Sequence, residues 1–271
     1  MSFYLKKPVE PIVLQMALTY TIKRFPYFAT TIKCGFFWHY IDSAMRRFNV
    51  KPETKLPCSP IRLNAVSSPT FRVVYFGNRV SVEFFHILTD GTGGSIFLRT
   101  LLNEYLRLLG EHVPPADDVF DIEQTPDPRE WADDFDLAST SDSPEGFGDK
   151  PALQMRGMLP IEHPNRVLHF NFSVAELREK SHEYGVTITT LMLGMLMLAL
   201  KQSAEPFGGK KKLQIQLPVN MRKFYPQSKT LRNFSMYCSI RLHPSRITSL
   251  RDILPDLTEQ VKQGTAKDSL D

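Results

Sequence analysis

The hydrophobic and polar positions along the first half of the chain follow two periods, one helical and one of two residues. They predict a helix over Glu10 to Phe25, a strand over Thr31 to Tyr40, strands over Phe71 to Phe76 and Arg79 to His86, and a helix over Ser95 to Leu109. Gly77-Asn78 separates the second pair of strands and is a two-residue hairpin signal. These elements predict a sheet covered by helices.

The second half shows the same kinds of element. Its patterns predict a strand over Arg166 to Phe172, a helix capped by Ser173, an apolar helix capped by Thr187, strands over Leu213 to Val219 and Phe234 to Leu242, and a last helix from Thr248 or Ser249. Both halves mix strands and helices, so the predicted class is α/β, in the sense of mixed sheets with helices. No sequence repeat relates the halves.

A Pro-, Asp- and Ser-rich stretch from about residue 113 to 151 separates them and predicts a linker. The predicted domains are therefore residues 1–150, which include this linker, and residues 151–271. Between Pro114 and Lys150 there are twelve acidic and two basic residues, although the formal net charge of the 271-residue chain is +4. The rest of the chain is thus basic, which suits a phosphorylated ligand, a polyanion or an ordinary solvated surface.

Several function classes have no support in the sequence. No RNP-type motif, zinc finger or Lys/Arg stripe indicates nucleic acid binding. The longest apolar run, Leu191 to Leu200, is about half the length of a membrane span and predicts a buried core helix. Cys34, Cys58 and Cys238 lie far apart without a CxxC pair, so neither a disulfide framework nor a metal site is expected. We expect a cytoplasmic protein.

The residues that point to chemistry are His86, Asp90 and Gly91 in the segment HILTDG. His86 is predicted at the end of a strand, on the side of its apolar residues, and a Gly-rich turn with Gly91, Gly93 and Gly94 follows. A neutral imidazole held at the end of a rigid element can act as a general base near neutral pH. A lone histidine on an apolar strand face is nevertheless more often a satisfied core residue.

Three segments together resemble one known superfamily. VEFFHILTDGTGGSIFLRTLL resembles the active-site stretch of the HxxxDG acyltransferases, which include plant-type acyltransferases, condensation domains and alcohol acetyltransferases. YGVTITTLMLGMLMLAL resembles the helix that opens the second half of condensation-type proteins. LQIQLPVNMRKFYPQSKTLRNFSMYCSIRL resembles the strand, basic loop and strand that follow, most like the alcohol acetyltransferase-like branch.

The resemblance implies a chloramphenicol-acetyltransferase-like fold with two α/β halves and a tunnel between them. It implies direct acyl transfer from acetyl-CoA or another acyl-CoA to an alcohol or amine, with His86 as general base and without a metal. Asp90 would be structural and would pair with an arginine, for which Arg222 is the candidate. Asn233, or a residue near Ser239, would help to hold the developing oxyanion.

Members of these branches are longer than this chain, so we expect a complete first half and a partial second half, completed by an oligomer or by a missing C-terminal part. Two alternatives to a CoA-dependent enzyme stay open. A condensation-type domain would take its acyl group from a carrier-protein thioester. A truncated homologue would bind a ligand or partner without turnover.

Overall fold

The computed structural model describes residues 1–43, 47–55, 59, 68–138, 150–154, 167–203 and 210–270. The strands are β1 (Ser2–Tyr4), β2 (Thr31–Cys34), β3 (His39–Asp42), β4 (Lys51–Pro52), β5 (Ser68–Pro69), β6 (Phe71–Phe76), β7 (Arg79–Phe84), β8 (Leu213–Asn220) and β9 (Ser235–Leu242). The α-helices are α1 (Pro11–Arg24), α2 (Gly91–Leu108), α3 (Phe135–Ala138), α4 (Val174–Glu183), α5 (Ile188–Ser203) and α6 (Leu250–Gly264). Short 3₁₀ helices span Pro128–Trp131, Met221–Lys223, Pro244–Arg246 and Lys267–Ser269.

The chain forms two compact units. Unit 1 consists of Met1–Phe135 together with Gln227–Phe234, and unit 2 consists of Asp136–Pro226 together with Ser235–Asp271. The sequence predicts a single boundary near residue 150, whereas the structure divides the chain after Phe135 and assigns the later segment 227–234 to unit 1. That assignment places a piece of the predicted second half beside the HILTDG motif.

Unit 1 is built on a mixed sheet with the strand order β1-β7-β6-β4, in which β4 and β6 are parallel and the other pairs are antiparallel. A second sheet has the order β3-β2-β5. The buried core contains Phe25, Phe28, Phe71 and Phe97, and the rings of Phe28 and Phe97 stack with centroids 5.0 Å apart. Buried aromatic side chains remove a large apolar area from water, which is a main source of stability for this unit.

Unit 2 contains an antiparallel pair of eight-residue strands, β8 and β9, with Leu213 opposite Leu242. Helices α5 and α6 contact each other at Gly194, where an added Cβ would lie 2.7 Å from Leu250 Cδ1. Helix α5 is only half buried, because Met195 and Leu196 remain exposed while Met197 is fully buried. The expectation of a fully buried core helix is therefore wrong for the described residues.

Most of the predicted elements are confirmed, including α1, the β6–β7 hairpin and the capped starts of α4, α5 and α6. Four differ. The predicted strand over Thr31 to Tyr40 is the hairpin β2–β3, because the Gly35 N–H donates to the Trp38 carbonyl at 2.6 Å and closes a turn. Residues 167–172 form no strand, and no ladder partner for them is found in the described part of the chain. The other two differences concern the motif.

The expectations for the linker, the cysteines and membrane spans concern residues that the structure describes only in part. Residues 139–149 of the predicted linker lie outside the described residues, and its described part includes α3 and the 3₁₀ helix Pro128–Trp131. Cys34 is exposed, Cys238 is buried and both are free thiols, whereas Cys58 lies outside the described residues. Within the described ranges no single helix is long and apolar enough to cross a membrane; only α4 and α5 together, bent by 84°, reach that length.

Candidate active site

His86 lies in a tight turn that follows β7 rather than on the strand itself. The strand ends at Phe84, the Phe85 N–H donates to the Thr70 carbonyl at 2.8 Å, and the Leu88 N–H donates to the Phe85 carbonyl at 2.9 Å. Leu88 is fully buried and anchors the turn, whereas His86 is exposed. The prediction that His86 shares the apolar face of the strand is wrong, because the turn carries it away from Val80 and Val82.

The imidazole of His86 opens onto a pocket of about 590 Å³. The pocket is also lined by Phe84, Thr89, Asp90 and Gly91, so the residues of the motif share one cavity. The ring of His86 has no hydrogen-bond partner in the part of the chain that the structure describes. Both ring nitrogens are therefore available to a bound molecule, and a general base needs one of them to be free.

Asp90 caps helix α2 from a buried position. Its Oδ1 accepts hydrogen bonds from Thr92 N–H at 2.9 Å and Gly93 N–H at 3.1 Å, and its Oδ2 accepts one from Phe234 N–H at 3.0 Å. A carboxylate at a helix N-terminus satisfies free N–H groups and interacts favourably with the helix dipole. Helix α2 consequently starts at Gly91, four residues before the predicted start at Ser95.

Segment 227–234 packs directly against the motif. The Thr89 hydroxyl donates to the Leu231 carbonyl at 2.6 Å, and a Cβ added to Gly93 would lie 2.2 Å from that same carbonyl oxygen. Gly93 is thus required by the close approach of another backbone, not by a flexible turn. The contact of Thr89 and the role of Gly93 are not predicted from the sequence, because the local signal is a GTGG run that also suits a simple turn.

The same segment is fixed to residues 127–132 on its other side. The Leu231 N–H donates to the Glu130 carbonyl at 2.6 Å, and the Thr230 hydroxyl donates to the Ala132 carbonyl at 2.7 Å. Lys229 Nζ lies 3.1 Å from Asp127 Oδ2. Hydrogen bonds from Arg129, with a further one from Lys229, hold the pKa of Asp127 well below its usual range, so this carboxylate stays charged at neutral pH.

A buried ion pair fixes residues 127–132 in turn. Arg24, at the end of α1, donates through Nη1 and Nη2 to both carboxylate oxygens of Glu130, at 2.6 and 2.7 Å. Arg24 and Glu130 are 3% and 7% exposed, so the pair is shielded from solvent. A bidentate geometry is the arrangement in which a buried pair is best compensated for its lost hydration. The pair therefore connects α1, through Glu130 and Leu231, to the motif.

Three further predicted site residues are described individually. Gly91 is the first residue of α2; it does not have the left-handed backbone of Gly77, Gly110 and Gly185, and an added Cβ would meet nothing within 4 Å. Asn233 belongs to unit 1, and its Oδ1 is buried without a hydrogen-bond partner among the described residues. Arg222 belongs to unit 2, where its Nη1 donates to Asn220 Oδ1 at 3.2 Å. Their suggested roles as motif glycine, oxyanion donor and Asp90 partner stay predictions.

Ser239, the neighbourhood named as an alternative oxyanion position, lies on β9 and accepts a hydrogen bond from Gln214 Nε2 at 3.1 Å. No group of three or more His, Cys, Asp or Glu side chains suited to a metal ion occurs within the described ranges.

No protein-family model matches the chain, and no curated protein matches it in sequence. Solved structures do match, and the matches cover almost all of the chain. They include polyketide synthase associated protein 5 from Mycobacterium tuberculosis (TM-score 0.60, 14% identity, 99% of this chain and 69% of that chain) and the first condensation domain of the calcium-dependent antibiotic synthetase (0.59, 14%, 99% and 68%).

The SgcC5 protein from Streptomyces globisporus is also similar (TM-score 0.54, 14% identity, 97% of this chain). This chain spans 65% of the length of that protein, and about two thirds of the other two. At this level of identity the likeness concerns the fold. The chain has the condensation-domain fold, a mixed α/β arrangement of the chloramphenicol-acetyltransferase type.

Proposed function

We propose that the protein is an acyltransferase in which His86 is the general base, that its donor is acetyl-CoA or another acyl-CoA, and that its acceptor is an alcohol or amine. The observation that carries the proposal is the geometry of the HILTDG segment. His86 is exposed at a rigid turn and lines a pocket of about 590 Å³, while the neighbouring Asp90 is buried and fully engaged as a helix cap. One residue is thus free for chemistry and the other holds the loop that presents it.

The proposed reaction needs one proton transfer in each direction. His86 removes the proton of the acceptor hydroxyl as its oxygen attacks the thioester carbonyl, and the C–S bond breaks as the tetrahedral species collapses. The proton then passes from His86 to the departing thiolate. The products are free CoA and an ester, or an amide where the acceptor is an amine, and no covalent bond to the protein forms. Asn233 is proposed as a donor to the oxyanion, with its amide nitrogen turned toward it.

Several contacts hold the loop that carries His86. Thr89, Asp90 and Gly93 all contact segment 227–234, which residues 127–132 hold from the other side. A catalytic group is effective only when surrounding contacts keep it close to its productive geometry. The contacts that hold the loop of His86 in place therefore support its proposed role as general base.

The test is release of free thiol from acetyl-CoA by the purified protein, with a panel of alcohols and amines as acceptors. We expect acceptor-dependent thiol release that is matched by the amount of acylated product in mass spectrometry. Folded protein that releases no thiol with any acceptor, or releases it equally without acceptor, would contradict acyl transfer from CoA.

A carrier-protein thioester is the second candidate donor, favoured by the likeness to a condensation domain of an antibiotic synthetase. Acyl-CoA and an acylated carrier protein share the phosphopantetheine arm, but this arm is attached to a nucleotide in the first and to a protein in the second. Acetyl-CoA and an acetylated carrier protein, offered at equal concentration with the same acceptor, separate the two possibilities. Turnover with the carrier alone would replace CoA as the proposed donor while leaving the role of His86 in place.

A further inference from the structure

Unit 1 contains a second pocket, of about 420 Å³, which the proposed chemistry does not use. It lies beside the edge strand β4, and its apolar wall includes Phe48, Phe71, Val73 and Val74. The rings of Phe48 and Phe71 stack with centroids 4.7 Å apart and an interplanar angle of 18°. A pocket of this size and lining suits the apolar part of a small molecule.

The rim of this pocket carries uncompensated positive charge. Arg47, Lys51 and Lys55 line it, are exposed, and form no ion pair with any residue that the structure describes. Its two carboxylates are already neutralised, because Glu53 pairs with Arg79 and Glu83 pairs with Arg72. Three cations beside an apolar wall favour a ligand that is both negatively charged and apolar.

One residue of the pocket wall, Thr31, has a buried hydroxyl. Thr31 lines the pocket and is 1% exposed, and its Oγ1 has no hydrogen-bond partner among the described residues. A buried hydroxyl without a partner costs free energy, and such groups normally find one. A ligand oxygen in this pocket would supply it.

The cationic rim is held in place before any ligand binds. The Gln15 side chain on α1 forms two hydrogen bonds with the backbone of residues 47–51. Its Nε2 donates to the Phe48 carbonyl at 3.0 Å, and its Oε1 accepts from the Val50 N–H at 2.8 Å. Further along, the Glu53 N–H donates to the Tyr75 carbonyl at 2.9 Å. A rim fixed at both ends loses little conformational entropy on binding.

We propose that this pocket is a binding site for a small amphipathic anion, a molecule with an apolar body and a carboxylate or phosphate head group. The apolar body packs against Phe48 and Phe71, the head group is attracted by Arg47, Lys51 and Lys55, and an oxygen of the ligand accepts a hydrogen bond from the Thr31 hydroxyl. The pocket shares Glu83 with the pocket of His86 but is not lined by His86, Thr89, Asp90 or Gly91, so its occupancy is measurable whether or not the protein is an acyltransferase.

Calorimetric titration of the whole chain with octanoate, octyl phosphate and octanol tests this proposal. Octanoate or octyl phosphate binds at least tenfold more tightly than octanol, and the tighter of the two identifies the preferred head group. Higher salt weakens this binding, since the attraction is electrostatic. Absence of binding by both anions, or equal binding of octanol, would overturn the proposal.

Variants assign the binding to this pocket. The triple variant Arg47→Gln, Lys51→Gln, Lys55→Gln loses at least tenfold in affinity for the anion, while Lys6→Gln, Lys7→Gln, Lys210→Gln, which removes the same charge from exposed positions elsewhere, keeps it. Thr31→Val lowers the affinity and Thr31→Ser restores it. Equal affinity of the two triple variants would place the anion elsewhere and refute the site.

Discussion

At the scale of single residues, His86 and Asp90 of the motif, four positions apart, lie in different environments. His86 is exposed and makes no hydrogen bond within the described structure, whereas Asp90 is 4% exposed and accepts three hydrogen bonds from backbone N–H groups. The sequence predicts a structural Asp90, but through an arginine partner. The structure adds the helix cap, which becomes apparent only once α2 is known to start at Gly91.

Replacing Asp90 by Asn tests the cap. The Asn side-chain oxygen can still accept hydrogen bonds from the N–H groups at the helix N-terminus. Its NH₂ group then takes the place of Oδ2 and faces the Phe234 N–H, so two donors meet and the buried Phe234 N–H loses its acceptor. We expect Asp90→Asn to lower the free energy of unfolding by about 1–3 kcal/mol, and Asp90→Ala to lower it more. Urea denaturation measures both.

The exposed cap Ser249 of α6 provides a comparison, since its Oγ accepts from the Asp252 N–H at 3.3 Å. Ser249→Ala should be the mildest of the three variants. An Asp90→Asn protein as stable as the wild type would show that the Phe234 contact contributes nothing.

At the scale of elements, α2 meets the backbone of segment 227–234 at Gly93. An added Cβ would lie 2.2 Å from the Leu231 carbonyl oxygen and 2.4 Å from Thr89 Oγ1, and neither neighbour can move without losing its hydrogen bond. We expect Gly93→Ala to destabilise the protein by about 1–3 kcal/mol, as overpacking of a tight contact does. Thermal unfolding followed by circular dichroism checks this.

Gly91→Ala is the matched control, because the same substitution two residues earlier in the helix meets nothing within 4 Å. It should leave stability unchanged or raise it by up to about 1 kcal/mol, since Ala favours the helix over Gly. If the two variants unfolded at the same temperature, the close approach of Leu231 would not be a constraint.

Most elements were predictable from periodicity and caps, for example the Gly77-Asn78 hairpin and the Ser173 and Thr187 helix starts. Local pattern failed where a contact distant in sequence decides the structure. The GTGG run has low helix propensity, and only the Asp90 cap and the packing of Leu231 make it the first turn of α2. The position of His86 in a turn likewise depends on the Thr70 contact of Phe85.

At the scale of the whole molecule, unit 1 is completed by a segment from far along the chain. Segment 227–234 lies between β8 and β9 in sequence, yet it belongs with residues 1–135. Its own residues give no signal for this, because LRNF could equally open the strand that follows. Arg24 and Glu130 carry no signal either, since charged residues are rarely fully buried unless paired.

The Arg24–Glu130 pair joins positions 106 residues apart and supports this arrangement. Removing one partner leaves the other buried and uncompensated, so Arg24→Met or Glu130→Leu should each cost about 3–5 kcal/mol. The double variant Arg24→Met, Glu130→Leu should cost clearly less than the two single losses together. Chemical denaturation of all four proteins gives the coupling energy.

The exposed pair Lys180–Glu183 on α4, with Nζ and Oε2 2.7 Å apart, serves as the control. Solvent screening should make its removal undetectable. Additive losses for Arg24 and Glu130 would mean that the buried pair is not coupled and does not hold residues 127–132.

The measurement that tests the central claim most directly is the steady-state rate of acyl transfer by His86→Ala, at the best acceptor, relative to the wild type. Loss of a general base should lower the rate by about 10²- to 10⁴-fold with little change in stability. His182→Ala, which removes an exposed histidine from α4, should turn over at the wild-type rate. A folded His86→Ala protein with wild-type turnover would contradict the account.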